Sequence, residues 1–265
     1  MDEQEMSKFY QTKNKDNEFG LIRNQYLLIK DESNTIVDQF KWTGSRLVAV
    51  SFKTIDTECI GKVKPKNVKQ QCYFDMLEDK TTTVKCVIGK QGTGKSYIAT
   101  AWALSKVQRG DFDKLVVLRN NPELVGTKSF GFLPGATDAK LLWLSGHIRN
   151  SVTQEDYEHM CACGEIELFP LNFIRGKSWE KSILYLSEAQ NTNLELMQVI
   201  VGRVGEGSIL ILDGDIKQTD LKVFSGESNG LVAVSRSLCG NELFSMVELT
   251  DVERSKTSAL ADLIK

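Results

Sequence analysis

No run of apolar residues in this sequence approaches the roughly 20 needed to cross a bilayer, and the opening Met1-Asp-Glu-Gln-Glu-Met6 is acidic with no apolar stretch behind it. Neither a transmembrane helix nor a secretory signal is expected, and the expected location is cytoplasmic. An excess of charge of either sign is also lacking: 33 Lys and Arg against 35 Asp and Glu leave a formal net charge of -2. That balance excludes whole-molecule attraction to nucleic acid or an anionic membrane, so such a partner must be held by a local basic patch. The six cysteines, at 59, 72, 86, 161, 163 and 239, have no regular spacing, and a cell interior would keep them reduced. His159-Met-Cys161-Ala-Cys163 brings together potential metal ligands with no fourth nearby and no C-x-x-C pair, so it reads as a helix end rather than a zinc site. Prolines number only four, and Pro65 lies in the basic stretch Gly61-Lys-Val-Lys-Pro-Lys66, which suits a linker.

What is present is organised around one stretch. Thr83-Val-Lys-Cys-Val-Ile88 is a β-rich run feeding Gly89-Lys-Gln91-Gly92-Thr93-Gly94-Lys95-Ser96. The pattern G-x-x-x-x-G-K-[ST] is that of a phosphate-binding loop, in which glycine lets the backbone turn sharply and bring its N–H groups against phosphate oxygens. Lys95 would reach the β/γ-phosphates, and Ser96 offers a hydroxyl to Mg²⁺. The following segment places Ile98, Ala101, Trp102, Leu104 and Val107 on one helical face. Its N-terminus would point at the anion.

The 265 residues, 41% of them hydrophobic, are enough for one α/β domain of roughly 200 residues with a small appendage. Residues 1–18 are polar and predict a flexible tail. Residues 19–63 carry strand-like runs over 19–30, 35–42 and 46–52 separated by turn clusters, predicting a small antiparallel β element. From residue 64 to 265, strands alternate with helices. Asn67 caps a helix carrying Gln70 and Gln71, either of which is a surface residue or, upstream of such a loop, an adenine reader. Apolar strands follow at 83–88, 114–118, 182–186, 208–212 and 244–249, with short strand-like pieces at 166–169 and 171–174. Helices are expected at 137–160, 194–202, 232–238 and 258–264. This alternation implies a mainly parallel sheet covered by helices on both faces. Its ligands would sit at the carboxyl ends of the strands. There stand Arg119, Ser187-Glu188-Ala-Gln190-Asn191 and Asp213-Gly-Asp215-Ile-Lys-Gln218. The long loop after Arg119, with Phe130-Gly-Phe132 inside residues 126–135, either stacks bases or plugs itself. Arg175-Gly-Lys177-Ser178 is a basic turn able to touch phosphates of a nucleotide or a bound strand.

Taken in order, Pro65-Lys-Asn67 with Gln70, Gly89 to Ser96, Gly131-Phe-Leu-Pro-Gly135, Ile174-Arg-Gly176, Glu188-Ala-Gln-Asn191, Gly214-Asp215 with Gln218, Asn229-Gly-Leu231 and Glu253-Arg254-Ser255 resemble the PhoH family of P-loop ATPases, relatives of superfamily 1 helicases. The resemblance covers roughly residues 64 to 264. It implies a RecA-like P-loop fold and an ATPase using ATP and Mg²⁺. Gln70 would read adenine; Gly89, Gln91, Gly92, Thr93, Gly94, Lys95 and Ser96 would hold phosphate and metal; Glu188 would orient or deprotonate water; and Gln218 would sense the γ-phosphate. Arg254, and after it Arg203, is the candidate arginine finger. Single-stranded RNA would be held through Arg175, Lys177 and the 126–135 loop, by a homo-oligomeric ring for which a hexamer is one closed form. The β element looks like the piece that joins the ATPase to a PIN-type ribonuclease domain in longer relatives, and no nuclease activity is transferred to this chain.

The sequence departs from that pattern at Ser187, where the family carries an Asp that holds a Mg²⁺-bound water. Asp213, at the neighbouring strand end, is expected to supply the missing carboxylate, making Ser96, Asp213 and Ser187 the metal-facing set. The alternative is a nucleotide-gated binding protein with little hydrolysis. Asn120 in place of Pro, and Lys177-Ser178 in place of Arg-Thr or Arg-Ser, are milder changes; Lys lacks the bidentate fork of Arg, so the resemblance implies less about phosphate or RNA contacts there.

Overall fold

The computed structural model describes residues 2–13, 17–119, 146–216, 218 and 228–253. Where polar texture predicts a tail, Glu3–Thr12 forms helix α1, closed by a reciprocal capping box between Asp2 and Glu5. Its apolar residues follow the helical period despite the low average: Phe9 is 4% exposed and packs against Phe40, with Met6 beside it. Strands β1 (Tyr26–Lys30), β2 (Ile36–Trp42) and β3 (Leu47–Ala49) make the antiparallel sheet that α1 covers. The expected linker is partly structured, because Gly61–Val63 forms β5 and pairs with β4 (Ile55–Thr57).

Among the described residues the main sheet has six strands: β6 (Val84–Gly89), β7 (Lys114–Arg119), β8 (Ile166–Pro170), β9 (Ser182–Ser187), β10 (Ile209–Gly214) and β11 (Phe244–Leu249). Their order is β11-β6-β10-β9-β7-β8, and every pairing is parallel. Because both faces are covered, alternate residues of one strand enter different cores, and the strands read as continuous apolar runs. Val87, Val117, Ile183 and Ile211 pack under α2 (Val68–Glu78) and α3 (Lys95–Gln108). Cys86, Val116, Leu184 and Leu212 pack on the other face, under α6 (Leu194–Val201) and α7 (Gly230–Ser237).

Two local expectations change. Residues 171–174 are not a strand: Leu171–Phe173 is one 3₁₀ turn following the edge strand β8. The helix expected over 137–160 is, where described, two pieces, α4 (Gly146–Arg149) and α5 (Gln154–Ala162), because Thr153 accepts a hydrogen bond from the Asp156 N–H and starts a new helix. The helix expected at 258–264 lies outside the described residues.

One charge is buried within β6. The Lys85 ammonium donates to the carbonyls of Met76 (2.7 Å) and Asp79 (2.6 Å) and to Thr82 Oγ1 (2.9 Å), satisfying acceptors left over at the end of α2. Burial pushes its pKa down to about 7. The small sheet docks through polar contacts as well: Asn24 Nδ2 donates to the Phe244 carbonyl at 2.8 Å, Tyr26 to Asp75 at 2.8 Å, and Lys41 pairs with Asp79. Among the described residues no helix is long and apolar enough to cross a membrane.

Candidate functional site

The glycine-rich loop joins the carboxyl end of β6 to α3, and its glycines are there for space and backbone conformation. A Cβ at Gly89 would lie 2.2 Å from the Leu249 carbonyl oxygen of the neighbouring β11. Gly92 (φ 88°) and Gly94 (φ 91°) occupy the left-handed region. Gly94 caps α3 without any side-chain hydrogen bond, so N–H groups of the first turn stay available to an anion. The Lys95 ammonium donates to the carbonyls of Gly89 (2.7 Å) and Lys90 (3.1 Å) and lies 3.9 Å from Asp213 Oδ1.

Strand register brings Asp213 beside the start of α3, within hydrogen-bond distance of Ser96. β10 lies between β6 and β9, with Asp213 opposite Val87 and Leu212 opposite Leu186, so the ends of three strands meet there. Ser96 Oγ donates to Asp213 Oδ2 at 2.6 Å, and the Tyr185 hydroxyl donates to the same oxygen at 2.5 Å. Asp213 is 3% exposed, and burial raises its carboxyl above the ordinary range against the pull of Lys95, Ser96 and Tyr185. Burial, and then the charge of Asp213, hold the Tyr185 phenol well above its usual value, so it remains a donor. Ser187 Oγ, at the end of β9, is buried and has no hydrogen-bond partner among the described residues. Hydroxyl and carboxylate oxygens are the hard donors that suit Mg²⁺, and an orphaned buried hydroxyl beside them fits a cation's water shell.

Glu188 begins the next turn in a left-handed conformation (φ 54°, ψ 44°), an uncommon state for a residue with a side chain. Its carboxylate is exposed, and Gln190 Nε2 donates to Oε2 at 2.7 Å. The other end of the Gln190 amide accepts from the Asp215 N–H at 3.1 Å, and the Gln190 carbonyl accepts from Asn229 Nδ2 at 2.8 Å. Gly214 leaves the room for this, since a Cβ there would come 2.7 Å from Gln190 Oε1. Gln218 is exposed beyond the end of β10, its N–H bonded to the Asp215 carbonyl at 3.1 Å.

Three expected residues sit differently from the sequence reading. Gln70 is 3% exposed, and both ends of its amide are engaged: Nε2 donates to the Thr93 carbonyl at 3.0 Å and Oε1 accepts from the Lys66 N–H at 2.8 Å. It holds the loop through Thr93 and the Lys66 N–H rather than lying on the surface. Arg203 is at the wrong end of the sheet to meet the loop of its own chain. α6 carries the chain back to the start of β10, and the Arg203 carbonyl accepts from Trp179 N–H near the start of β9. Lys177 is occupied by an ion pair with Glu167 and lies over the rings of Phe169 (4.7 Å) and Trp179 (5.1 Å), whereas Arg175 is exposed. Gln91 is exposed on the loop, while Arg254 and residues 126–135 lie outside the described residues.

Sequence reasoning assigned no role to Tyr185 or Gln190, and missed the Asn67–Glu253 contact. Tyr185 was findable, since in a strand it shares a face with Ser187 two residues on. Asn67 Nδ2 donates to Glu253 Oε1 at 2.7 Å while the Glu253 N–H donates to the Gly92 carbonyl at 2.9 Å, a link across 186 residues that no local pattern announces.

A family model of PhoH-like proteins matches residues 62–264. Protein PhoH2 of Bacillus subtilis (strain 168) is 33% identical over 250 residues, covering 90% of this chain and 55% of that protein. A PhoH-like protein of Mycobacterium tuberculosis (strain ATCC 25618 / H37Rv) is 30% identical over 206 residues, 76% of this chain and 57% of that one. The chain thus spans about half the length of the curated relatives it matches. Among solved structures, the Hef helicase domain of Pyrococcus furiosus aligns over 69% of this chain and 38% of its own, with 14% identity and a TM-score of 0.38.

Proposed function

The chain belongs to the PhoH-like protein family, a P-loop NTPase by its loop and sheet, and from that premise we propose that it is a Mg²⁺-dependent ATPase in which Asp213 replaces the carboxylate that Ser187 lacks. One observation carries this: the buried Asp213 carboxylate accepts the Ser96 hydroxyl proton at 2.6 Å, which turns the lone pairs of Ser96 toward a cation. Bound Mg²⁺ would neutralise charge on the phosphates, as in P-loop enzymes generally. Lys95 exchanges the Gly89 and Lys90 carbonyls for the β/γ-phosphates, and the first N–H groups of α3 cradle the anion. Glu188, held by Gln190, orients the attacking water and takes its proton as the new P–O bond forms and the bond to the ADP oxygen breaks. Gln218 stands beyond β10 as the γ-phosphate sensor, and Gln70 couples the adenine side of the site to the loop through Thr93.

Coupling to single-stranded RNA within a ring of subunits is the finer part of the proposal. It is supported by the family and by the exposed Arg175; Lys177, spent on Glu167, adds nothing to it. An arginine from a neighbouring subunit would complete the site, with Arg254 the first candidate and Arg203 able to act only across a subunit boundary.

Steady-state phosphate release from ATP, with and without Mg²⁺ and single-stranded RNA, tests the proposal, with Lys95→Ala as the blank. A Mg²⁺-dependent rate above the blank that Asp213→Thr abolishes is expected, and stimulation by RNA supports the coupling. Unchanged Mg²⁺ dependence in Asp213→Thr sinks the replacement. Tight ATP binding with no release would instead favour a nucleotide-gated switch, the reading to which the neutral Ser187 points.

A further inference from the structure

The strand face that carries Asp213 also carries an unassigned donor. β9 places Ile183 and Tyr185 in the core beneath α3, and strand alternation puts Ser187 on the same side. In the register of β9 with β10, Tyr185 lies opposite Ile211, two residues before Asp213. Two residues of strand span about 6.6 Å, which is close to the reach of a tyrosine side chain lying along the sheet. The Tyr185 hydroxyl accordingly arrives 2.5 Å from Asp213 Oδ2, inside a core where Tyr185 is 1% exposed.

The two bonds at Oδ2 have different futures when nucleotide and metal bind. Ser96 must share its oxygen with the cation, so its bond to Asp213 is committed to the metal site. Tyr185, whose hydroxyl also meets Ser96, is not a metal ligand on this reading and keeps its bond to Oδ2. Oδ1 faces Lys95 at 3.9 Å and is released when the ammonium moves to the phosphates. Ser187 Oγ contributes nothing to holding the carboxylate, having no hydrogen-bond partner among the described residues. Resting on the reading of Asp213 as the metal-facing carboxylate, we propose that Tyr185 is the positioning residue that fixes this carboxylate, and that it sets the Mg²⁺ requirement of a site in which the acidic group has moved from β9 to β10.

The test is equilibrium binding of a fluorescent ATP analogue to the full chain across a Mg²⁺ titration, alongside binding in EDTA, for wild type, Tyr185→Phe, Asp213→Asn and the double variant. Tyr185→Phe is expected to raise the Mg²⁺ concentration for half-maximal effect by about tenfold, the worth of one hydrogen bond to a charged group, and to leave affinity in EDTA unchanged. In the Asp213→Asn background the same change is expected to have no further effect, since the charged acceptor is gone. Melting temperatures are measured in parallel, because a tyrosine that only packs would lower stability without moving the Mg²⁺ midpoint. If Asp213→Asn shifts the Mg²⁺ response and Tyr185→Phe does not, the positioning role is overturned and the reading of Asp213 survives. If Asp213→Asn leaves the response unchanged, the reading of Asp213 fails, and the role of Tyr185 falls with it.

Discussion

Gln190 holds the exposed Glu188 carboxylate by a bond of 2.7 Å, and replacing it with Leu removes that donor while keeping much of the buried volume. Hydrogen bonds to charged groups contribute about 1.5–3 kcal/mol. If Glu188 must be aimed at water only as the reaction proceeds, the whole of that loss falls on the transition state, lowering kcat by about 10- to 100-fold. Among the described residues Lys95, Ser96 and the loop glycines, proposed to hold the nucleotide, make no bond to Gln190, so KM for ATP should hardly move. The variant also removes Gln190 Oε1, the acceptor of the buried Asp215 N–H at 3.1 Å. Loss of one such hydrogen bond costs about 1 kcal/mol of stability, which for a chain of this size lowers the melting temperature by a few degrees. Steady-state kinetics with ATP and a thermal melt on the same preparation separate the two effects. A kcat within twofold of wild type, with the melting temperature reduced, would refute the positioning argument and leave Gln190 a purely structural residue.

Two further changes test the frame around the site. Gly89→Ala would press a methyl group into the Leu249 carbonyl at 2.2 Å, and because both atoms belong to paired backbone, relief requires parting β6 from β11. Overpacking of this kind costs about 1–3 kcal/mol, and a melt indistinguishable from wild type would count against it. The Lys41–Asp79 pair supplies a pH test. Burial by itself lifts the Asp79 carboxyl, but hydrogen bonds from Lys41 and from the hydroxyl and N–H of Thr81 together outweigh it and hold the group below its ordinary value. A folded pKa below the unfolded one, about 3.9, means stability that is present above about pH 4 and lost as the pH falls through the folded value. Wild type should therefore lose its urea-midpoint advantage over Asp79→Asn as the pH drops from 6 to 3, and a constant gap would exclude the pair as the cause.

Much of the architecture was legible in consecutive residues, because the rules behind it are local. The phosphate loop announces itself through glycines at backbone positions that other residues strain to adopt, and Asn67 and Asn193 mark helix starts by capping them. The apolar runs of β6, β7, β9 and β10 state that both faces of the sheet are buried. Average polarity misled at α1, where Met6 and Phe9 carry a helical period inside a charged stretch, and propensity misled at 171–173, where the chain turns after the edge strand.

The sequence alone determined the parallel α/β plan, the anion-binding loop, and the presence of Ser187 and Asp213 at strand ends. Tertiary structure decided which of those groups meet. Asp213 reaches Ser96 and Tyr185 because β10 is inserted between β6 and β9, an order that strand sequence does not encode. Gln70 faces the loop instead of solvent, Lys177 is neutralised by Glu167, and Arg203 is carried to the far end of the sheet by the return of α6. Backbone conformation and periodicity depend on neighbours in the chain. The position of a charge depends on which strand lies beside which, and that is settled only when distant segments pack.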